Sequence, residues 1–328
     1  MQGRWRGDDT GAVSHLGLHC RRECGKIPDM SVSVTALTPT FGAEITGVDL
    51  TRPLDAGIAD LIVDAMDRFA VTVIRGVTVS QDDQIAFAKN FGPLDAINGV
   101  LQTDIKRRVS TELVDISNMD EDSNILELED RRRLFNLGNR LWHTDSSFKR
   151  IAAKYSMLHA HAVPPIAGET QVCDLRAAYD DLPAHMKGQI EDLIAVHSIF
   201  TSRALLGFDN FSQEEHHLLP PIRRPMVRVH PGSGRKTLYL ASHIGRILDR
   251  PVAEGRLLVR DLIEHATQPQ YIYTHHWRIG DTLIWDNRCT MHRAMPFDES
   301  QFKRDMRRAT VMETDAAPVD DQAAVATA

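Results

Sequence analysis

From residue 141 onward the chain is dominated by short runs of apolar and β-branched residues separated by turn signals, and this pattern limits the fold more than any other feature. The turn signals include the segments PPIAGE, HPGSGRK and RIGD. Such runs predict strands, and two longer excursions predict helices over 183–194 and 251–265. The predicted strands cover 153–162, 169–174, 225–230, 236–241, 271–277, 281–285 and 304–311. Many short strands with few helices indicate a mainly β fold with flanking helices, an antiparallel sandwich or barrel of the jelly-roll kind.

The preceding part of the chain carries clear helix and strand signals. Asp55 can cap a helix whose apolar positions follow helical spacing. A buried strand is predicted over 70–75 because the segment AVTVIR is β-branched and apolar. Ser80 resembles the start of a capping box for a second helix, which ends at the FGP segment 91–93.

The sequence predicts one structured domain, flanked by two terminal segments that are expected to lack a regular fold. Residues 1–30 are rich in Arg and Gly and contain no apolar run long enough for a signal peptide, so we expect a disordered extension. Structured sequence covers 31–314, and 315–328 read as a flexible tail. Within the domain, the polar stretch 95–137 contains one short strand-like segment, 114–117, and is either a functional lid or a disordered insert.

The cysteines indicate neither a disulfide framework nor a zinc site. Cys20 and Cys24 lie beside His15 and His19, but their spacing is wider than structural zinc sites use and a second ligand pair is missing. Only four cysteines occur in 328 residues, and they are scattered. We therefore expect a reduced, cytoplasmic protein.

Composition excludes several classes of function. The chain is 42% hydrophobic and 25% charged with a formal net charge of −7, which is typical of an ordinary globular protein. The net negative charge, with no large excess of basic residues, argues against nucleic-acid binding. No apolar segment approaches the length of a membrane span. We expect a homo-oligomer that acts on a small molecule.

The sharpest chemical signal is a His-x-Asp tripeptide, His143 and Asp145, in the segment LWHTD. On an extended strand both side chains would lie on one face, because strand residues alternate. His292, just beyond the predicted strand 281–285, is the candidate third ligand. Two histidines and one carboxylate leave three positions open on a metal, an arrangement that suits non-haem Fe(II) and oxygen chemistry.

Taken alone, the His-x-Asp pattern is also consistent with two surface residues on a strand that bind no metal. Two other histidine pairs show how common such spacing is. His159 and His161 share a strand face but lack a suitable nearby carboxylate, and His275 and His276 point to opposite faces, so these two cannot ligate one ion.

Two arginines follow His292 on one predicted strand. Arg304 and Arg308 would share a face with their guanidinium groups about 13 Å apart. Arginine offers a rigid fork for carboxylates, so this strand is either an acid-binding wall or a solvated basic edge.

The chain contains a series of motifs that spans most of its length: FGPL at 91–94, LWHTDSSF at 141–148, GET at 168–170, DLRAAYDDLP at 174–183, WDNR at 285–288 and RRAT at 307–310. In this order, the motifs resemble the taurine dioxygenase family of Fe(II)/2-oxoglutarate-dependent oxygenases. Further segments resemble the branch of the family that acts on aryloxyacetates such as 2,4-dichlorophenoxyacetate: DISN at 115–118, KYSML at 154–158 and HPGSGRKTLYL at 230–240. The resemblance implies a double-stranded β-helix, or jelly roll, over 31–314.

The resemblance also implies a role for each matching residue. His143, Asp145 and His292 would bind Fe(II) and carry the catalysis. The residues implied at the cosubstrate 2-oxoglutarate are Arg304, Thr170, Asn139 and Trp285. The residues implied at the primary substrate are Arg308, Ser146 and Ile97.

The implied reaction consumes O2 and converts 2-oxoglutarate to succinate and CO2 while the primary substrate is hydroxylated. In an aryloxyacetate the hydroxylated carbon carries the ether oxygen, so the product collapses to a phenol and glyoxylate. The acidic aromatic substrate would place its carboxylate on Arg308.

The loop after FGPL departs from the family pattern. Relatives carry a histidine or a lysine there, whereas this chain has Ile97 near that position and no basic residue before Lys106. Arg308 is then a single anchor, which predicts a broad range of aryloxyacetates, unless Lys106, Arg107 or Arg108 restores a second contact.

Three interpretations remain open at this point. The first is an aryloxyalkanoate dioxygenase. The second is an oxygenase of the same family for an alkylsulfonate such as taurine or another small acid. The third is a jelly-roll binding protein that has kept the scaffold without turnover.

Overall fold

A computed structural model of the chain describes residues 32–96 and 107–314. Its helices are α1 Ala56–Phe69, α2 Gln81–Lys89, α3 Arg131–Asn136, α4 Leu175–Asp180, α5 Ala184–Ile190, α6 Ile199–Ala204, α7 Gln213–Leu218 and α8 Val252–Ala266, with short 3-10 helices at Leu137–Arg140 and Pro269–Tyr271. Its strands are β1 Ser33–Ala36, β2 Ala43–Thr46, β3 Val71–Ile74, β4 Val114–Asp115, β5 Ala153–Ala162, β6 Thr170–Asp174, β7 Ile194–His197, β8 Ile222–Pro225, β9 Val227–Val229, β10 Lys236–Leu238, β11 Ile244–Ile247, β12 Ile272–His275, β13 Thr282–Asp286, β14 Thr290–Ala294 and β15 Asp305–Met312.

The expectations for 1–30 and 315–328 lie outside the described residues, as do Ile97 and Lys106. Within the described ranges, no helix combines the length and the apolar character needed to cross a bilayer.

A seven-stranded sheet forms the larger layer, in the order β1-β2-β3-β13-β5-β15-β4. Its pairs are antiparallel except for β2 with β3. The long strand β5 lies between β13 and β15, and it pairs with β15 over most of its length and with β13 over residues 155–159. The strand β15, which carries Arg307 and Arg308, is therefore the second strand from one edge of the sheet.

Smaller sheets form the opposing layer. One has the order β12-β6-β14, another has the order β11-β7-β8, and β9 pairs with β10. In the first, His292 on β14 pairs with Val172 on β6. The candidate ligand His292 therefore belongs to the smaller layer.

Apolar clusters hold the helices against the sheets. One cluster joins α1, through Ile62 and Met66, to the larger sheet, and a second joins α8, through Leu258 and Leu262, to the smaller sheets. A third cluster contains the fully buried Trp285. Burial of such side chains contributes about 1.5–3 kcal/mol each, so the helices stiffen the sheet frame that carries the site. The predicted mainly β fold with flanking helices is confirmed.

Two helix starts follow the predicted capping chemistry. The Asp55 carboxylate accepts from the Gly57 N–H at 2.8 Å at the start of α1. Ser80 and Asp83 form a reciprocal capping box at the start of α2. Each side chain satisfies an N–H that the first helical turn leaves without a partner.

Several predicted boundaries are wrong. The helix predicted over 183–194 ends at Ile190, and Ile194 already belongs to β7. The strand predicted over 225–230 is divided between β8 and β9. Strands β11 and β14 were not predicted, because their segments IGRI and TMHRA lack a long β-branched run.

Candidate metal centre and its two cavities

His143 is held by backbone pairing with His292 and does not lie on a regular strand. The His143 N–H donates to the His292 carbonyl at 3.0 Å, and the His292 N–H donates back at 2.8 Å. Asp145 lies in the turn that follows, where Ser146 adopts a left-handed φ of 52°. The predicted extended His-x-Asp strand is therefore wrong, although the side chains of His143 and Asp145 still converge.

The three predicted ligands form one buried cluster. The His143 Nε2 lies 3.8 Å from Asp145 Oδ1, and the His292 Nε2 lies 3.5 Å from Asp145 Oδ2. One ligand atom from each residue can be chosen so that all three lie within 4.8 Å of one another. Three donor atoms this close together can all bind one metal ion.

The imidazoles are in the chemical form that a metal needs. Burial lowers the pKa of His143, and burial with the neighbouring His143 lowers the pKa of His292 well below its ordinary value. Both rings are therefore neutral at pH 7. The His143 Nδ1 bonds the Leu141 carbonyl at 2.8 Å, which places the proton on Nδ1 and leaves the Nε2 lone pair available to a metal.

Asp145 is held as a carboxylate by its neighbours. Burial acts to raise the pKa of this carboxyl, but the Arg308 guanidinium and the hydrogen bond from Ser156 outweigh it and hold the pKa well below its usual range. The Arg308 Nη1 donates to Asp145 Oδ1 at 2.5 Å. Two neutral nitrogen donors and one ionised oxygen donor are the chemistry that Fe(II) accepts, so the residues fit the predicted metal.

Two residues that sequence reasoning missed orient Asp145. The Ser156 hydroxyl donates to Asp145 Oδ2 at 2.7 Å and accepts from the Asn287 amide at 2.9 Å. The Asn287 Oδ1 in turn accepts from the Asp145 backbone N–H at 3.1 Å. A polar Ser156 inside the buried strand β5, and an unassigned amide in the WDNR motif, were the available signals.

A cavity of about 160 Å³, the larger cavity, opens beside the triad. His143, Asp145, Ser146, Asn139 and Arg308 all lie in its wall. Its apolar wall residues are Val109, Val114, Ile116, Met119, Leu126, Phe135, Phe148, Ile199 and Leu219. Much of this wall comes from the polar stretch 95–137, so that stretch encloses the cavity along its described part.

A second cavity of about 60 Å³, the smaller cavity, contains Arg304. Asn139 lines both cavities. Arg304 is 5% exposed, and burial lowers its pKa to about 10, so it stays charged at pH 7. Among the described residues its Nε has no hydrogen-bond partner, and the nearby Glu299 is paired with Arg133 and Arg140.

The remaining predicted site residues lie outside these walls. Thr170 is buried on β6, and its hydroxyl accepts from the Trp277 indole at 3.1 Å. Its strand partner Ala294 lines the smaller cavity. Trp285 packs its ring 4.4 Å from that of His292 and so supports a candidate ligand.

A second cluster of possible ligands is better explained as an ion-pair network. His230, Asp286 and Cys289 lie close together, but the Arg288 guanidinium donates to Asp286 at 2.6 Å. The His230 Nε2 bonds the same carboxylate at 3.0 Å. Both nitrogens of His230 are engaged, by Asp286 and Ser233, and burial raises the pKa of the Cys289 thiol well above its ordinary value, so neither side chain offers a free donor to a metal ion.

The other histidine pairs have structural partners. The His159 Nδ1 bonds the Thr282 hydroxyl at 2.8 Å, and burial lowers the pKa of His159 to about 4. His275 is buried 3.2 Å from Asp281, whereas His276 is exposed. Neither pair shares a cluster with the triad.

The chain is similar to proteins of known activity. The family model "Taurine catabolism dioxygenase TauD, TfdA family" matches residues 33–310. An alpha-ketoglutarate-dependent 2,4-dichlorophenoxyacetate dioxygenase of Cupriavidus pinatubonensis is 44% identical over 286 residues, which cover 87% of this chain and 99% of the relative. An (S)-phenoxypropionate/alpha-ketoglutarate-dioxygenase of Sphingobium herbicidovorans is 36% identical over 82% of this chain and 91% of the relative.

A solved structure extends the similarity to the fold. The crystal structure of AAD-2 in complex with Mn(II) and N-oxalylglycine matches with a TM-score of 0.84 and 45% identity, covering 89% of this chain and 100% of that chain. The predicted double-stranded β-helix, or jelly roll, is confirmed.

Proposed function

The chain belongs to the taurine catabolism dioxygenase TauD, TfdA family, and on that premise we propose that it cleaves aryloxyalkanoates such as 2,4-dichlorophenoxyacetate. It is an Fe(II)-dependent dioxygenase that uses 2-oxoglutarate and O2 as cosubstrates. From 2,4-dichlorophenoxyacetate the products are 2,4-dichlorophenol and glyoxylate, with succinate and CO2 from 2-oxoglutarate. The observation that carries the proposal is the buried triad His143, Asp145 and His292 beside a cavity with an arginine in its wall.

The triad residues are the proposed iron ligands. With 2-oxoglutarate and O2, the bound Fe(II) supplies the oxidising power that replaces a C–H bond of the substrate with C–OH. The protein keeps both imidazoles neutral and Asp145 ionised, and it orients that carboxylate through Ser156. These groups therefore present their donor atoms without rearrangement.

Arg304 is the proposed partner of the distal carboxylate of 2-oxoglutarate. It is a buried cation in the smaller cavity, and its Nε is unpaired among the described residues. Asn139 belongs to both cavities and can contact the cosubstrate at its near end. Thr170, whose strand neighbour lines the smaller cavity, and Trp285, which packs on His292, are assigned supporting roles at the cosubstrate.

The larger cavity is the proposed site of the primary substrate. Arg308 binds the substrate carboxylate, and the apolar wall takes the aromatic ring. Ser146 lies in the same wall, whereas the assigned Ile97 lies outside the described residues. Because the carboxylate and the ring are both held, the substrate carbon that carries the ether oxygen is placed beside the triad.

We expect 2,4-dichlorophenoxyacetate to be a much better substrate than taurine. Burial of a chlorinated ring contributes about 2–3 kcal/mol that taurine cannot gain, which corresponds to a kcat/KM ratio of ~30–150. The measurement is 2-oxoglutarate-dependent succinate release for both substrates and for a phenoxypropionate, with Fe(II) omitted as the control. Preferred turnover of taurine would overturn the aryloxyalkanoate assignment and leave the iron chemistry standing.

The Ser156→Ala variant should bind metal about 10–100-fold more weakly, because Asp145 loses the hydroxyl that orients its carboxylate. Titration with Mn(II), followed by electron paramagnetic resonance, measures this affinity without turnover. Ser233→Ala is the matched control, since the Ser233 hydroxyl bonds the buried His230 away from both cavities. Equal Mn(II) affinity in wild type and Ser156→Ala would contradict the supporting role.

The proposal places the enzyme in the cytoplasm as a homo-oligomer. Cys173 and Cys289 are free thiols, which suits a reducing compartment. Leu205, Leu206 and Leu218 are exposed apolar side chains of the kind that subunit contacts cover. Light scattering of the purified protein measures the number of subunits.

A further inference from the structure

Arg203 is a second arginine in the wall of the larger cavity, and neither the sequence motifs nor the proposed function gives it a role. It lies on α6 and shares the cavity wall with Arg308, His143 and Asp145. Only 4% of its surface is exposed. A charged side chain this deeply buried needs a physical reason.

The guanidinium of Arg203 is fixed in place on three sides. Its Cζ lies 4.2 Å from the centre of the Phe135 ring, and its Nη1 donates to the Ser202 hydroxyl at 3.1 Å. On a third side it lies against Gly138, where an added Cβ would come within 2.2 Å of the guanidinium carbon. Gly138 thus allows a close approach that any side chain would prevent.

The charge of Arg203 has no carboxylate partner among the described residues. Its Nε lacks a hydrogen-bond partner there. Burial and, to a smaller extent, the nearby Arg308 lower the pKa of Arg203 to about 10, against an opposing effect of Asp145, which does not bond to it. The group therefore stays charged at pH 7, and an uncompensated buried cation is unfavourable until an anion binds.

The basic residues of the described cavity wall other than Arg203 and Arg308 are already engaged. The ion-paired ones are Arg108 with Asp115 and Asp305, Arg132 with Asp130 and Glu121, and Lys149 with Asp95. Arg308 bonds Asp145 through its Nη1, and its Nε has no hydrogen-bond partner among the described residues. Arg107 donates to the backbone carbonyls of Val109, Ser110 and Leu113. Arg203 is the basic residue of this described wall whose guanidinium bonds neither a carboxylate nor a carbonyl, so it is available to an incoming acid.

We propose that Arg203 binds the acidic group of the primary substrate together with Arg308, so that two arginines hold one carboxylate. The inference rests on the proposed function, because it concerns the same substrate and the same cavity. It replaces the single anchor expected from the sequence with a two-point clamp, in which each guanidinium takes one carboxylate oxygen. The clamp makes a carboxylate on the substrate a strict requirement, while the apolar wall tolerates varied rings.

The test is the Arg203→Met variant, which keeps the length and apolar contacts of the side chain and removes its charge. We expect the KM for 2,4-dichlorophenoxyacetate to rise about 10–100-fold, the loss of one charge-assisted hydrogen bond. The KM for 2-oxoglutarate should stay unchanged. The neutral 2,4-dichlorophenoxyacetamide, measured as a competitive inhibitor, should bind wild type and variant equally.

Three further variants separate binding from structure. Arg203→Lys should recover part of the affinity for the acid. Gly138→Ala keeps the charge but displaces the guanidinium, so it should raise the KM for the acid in the same way, and it decides the question if Arg203→Met does not fold. Arg131→Met is the control, because Arg131 stacks on Phe208, whose ring contacts that of Phe135, and pairs with Glu215 outside the cavity wall.

An unchanged KM for the acid in Arg203→Met, or an equal loss of acid and amide binding, would overturn the clamp and leave Arg203 a structural role. If the proposed function is wrong, the wild-type protein itself releases no 2,4-dichlorophenol. The two failures are therefore distinguishable in one set of assays.

Discussion

Replacing Asp145 with alanine is expected to abolish Fe(II)-dependent release of succinate and phenol. Asp145 supplies the one anionic donor of the triad, and the two remaining imidazoles are neutral. The loss in metal affinity should exceed the roughly 10–100-fold that removal of a supporting hydrogen bond produces. Succinate release at several Fe(II) concentrations, together with Mn(II) binding, measures both effects.

The Asp145 variant needs a control for folding, because Arg308 loses its bonded carboxylate when Asp145 is removed. The thermal midpoint measured by circular dichroism reports that effect separately from metal binding. We expect the same losses in His292→Ala, and His276→Ala is its matched control, since His276 is exposed and is not part of the triad. Wild-type turnover by Asp145→Ala with added Fe(II) would rule out the ligand assignment.

The sequence predicted the residues of the triad, but it did so with the wrong local geometry. His143 and Asp145 were expected on an extended strand, whereas an isolated bridge and a turn position them. The bridge partner is His292 itself, so the ligands are brought together by long-range backbone pairing. Strand β14, which carries His292, is polar and short, and local propensity contains no signal for such a strand.

The capped helices and the long strand β5 could be predicted because their signals are local. Capping residues and apolar periodicity act within one turn or one strand. Arg203 could not be predicted in this way. Its site exists only where α6 packs against Phe135 and Gly138, more than sixty positions earlier in the chain, and no spacing within one segment encodes that contact.

Arg304→Ala is expected to raise the KM for 2-oxoglutarate by ~100-fold, since a charge-assisted contact in a desolvated site is worth about 3 kcal/mol. Arg304 is buried, charged and lines the smaller cavity, and its Nε has no partner among the described residues. The KM for 2,4-dichlorophenoxyacetate should change little. Calorimetric titration of the Mn(II)-loaded protein with 2-oxoglutarate measures the same contact without turnover.

Arg308→Ala provides the opposite case, because Arg308 lines the larger cavity and Arg304 the smaller one. Its main expected effect is a higher KM for 2,4-dichlorophenoxyacetate, with the KM for 2-oxoglutarate near the wild-type value. Arg308 also bonds Asp145, so the comparison must be made at saturating Fe(II) to remove any change in metal affinity. Asn139 lines both cavities. If the two acids bound at one common site, Arg304→Ala and Arg308→Ala would change the same KM values. Equal shifts of both KM values in Arg304→Ala and Arg308→Ala would therefore show that the two acids are not bound by separate arginines.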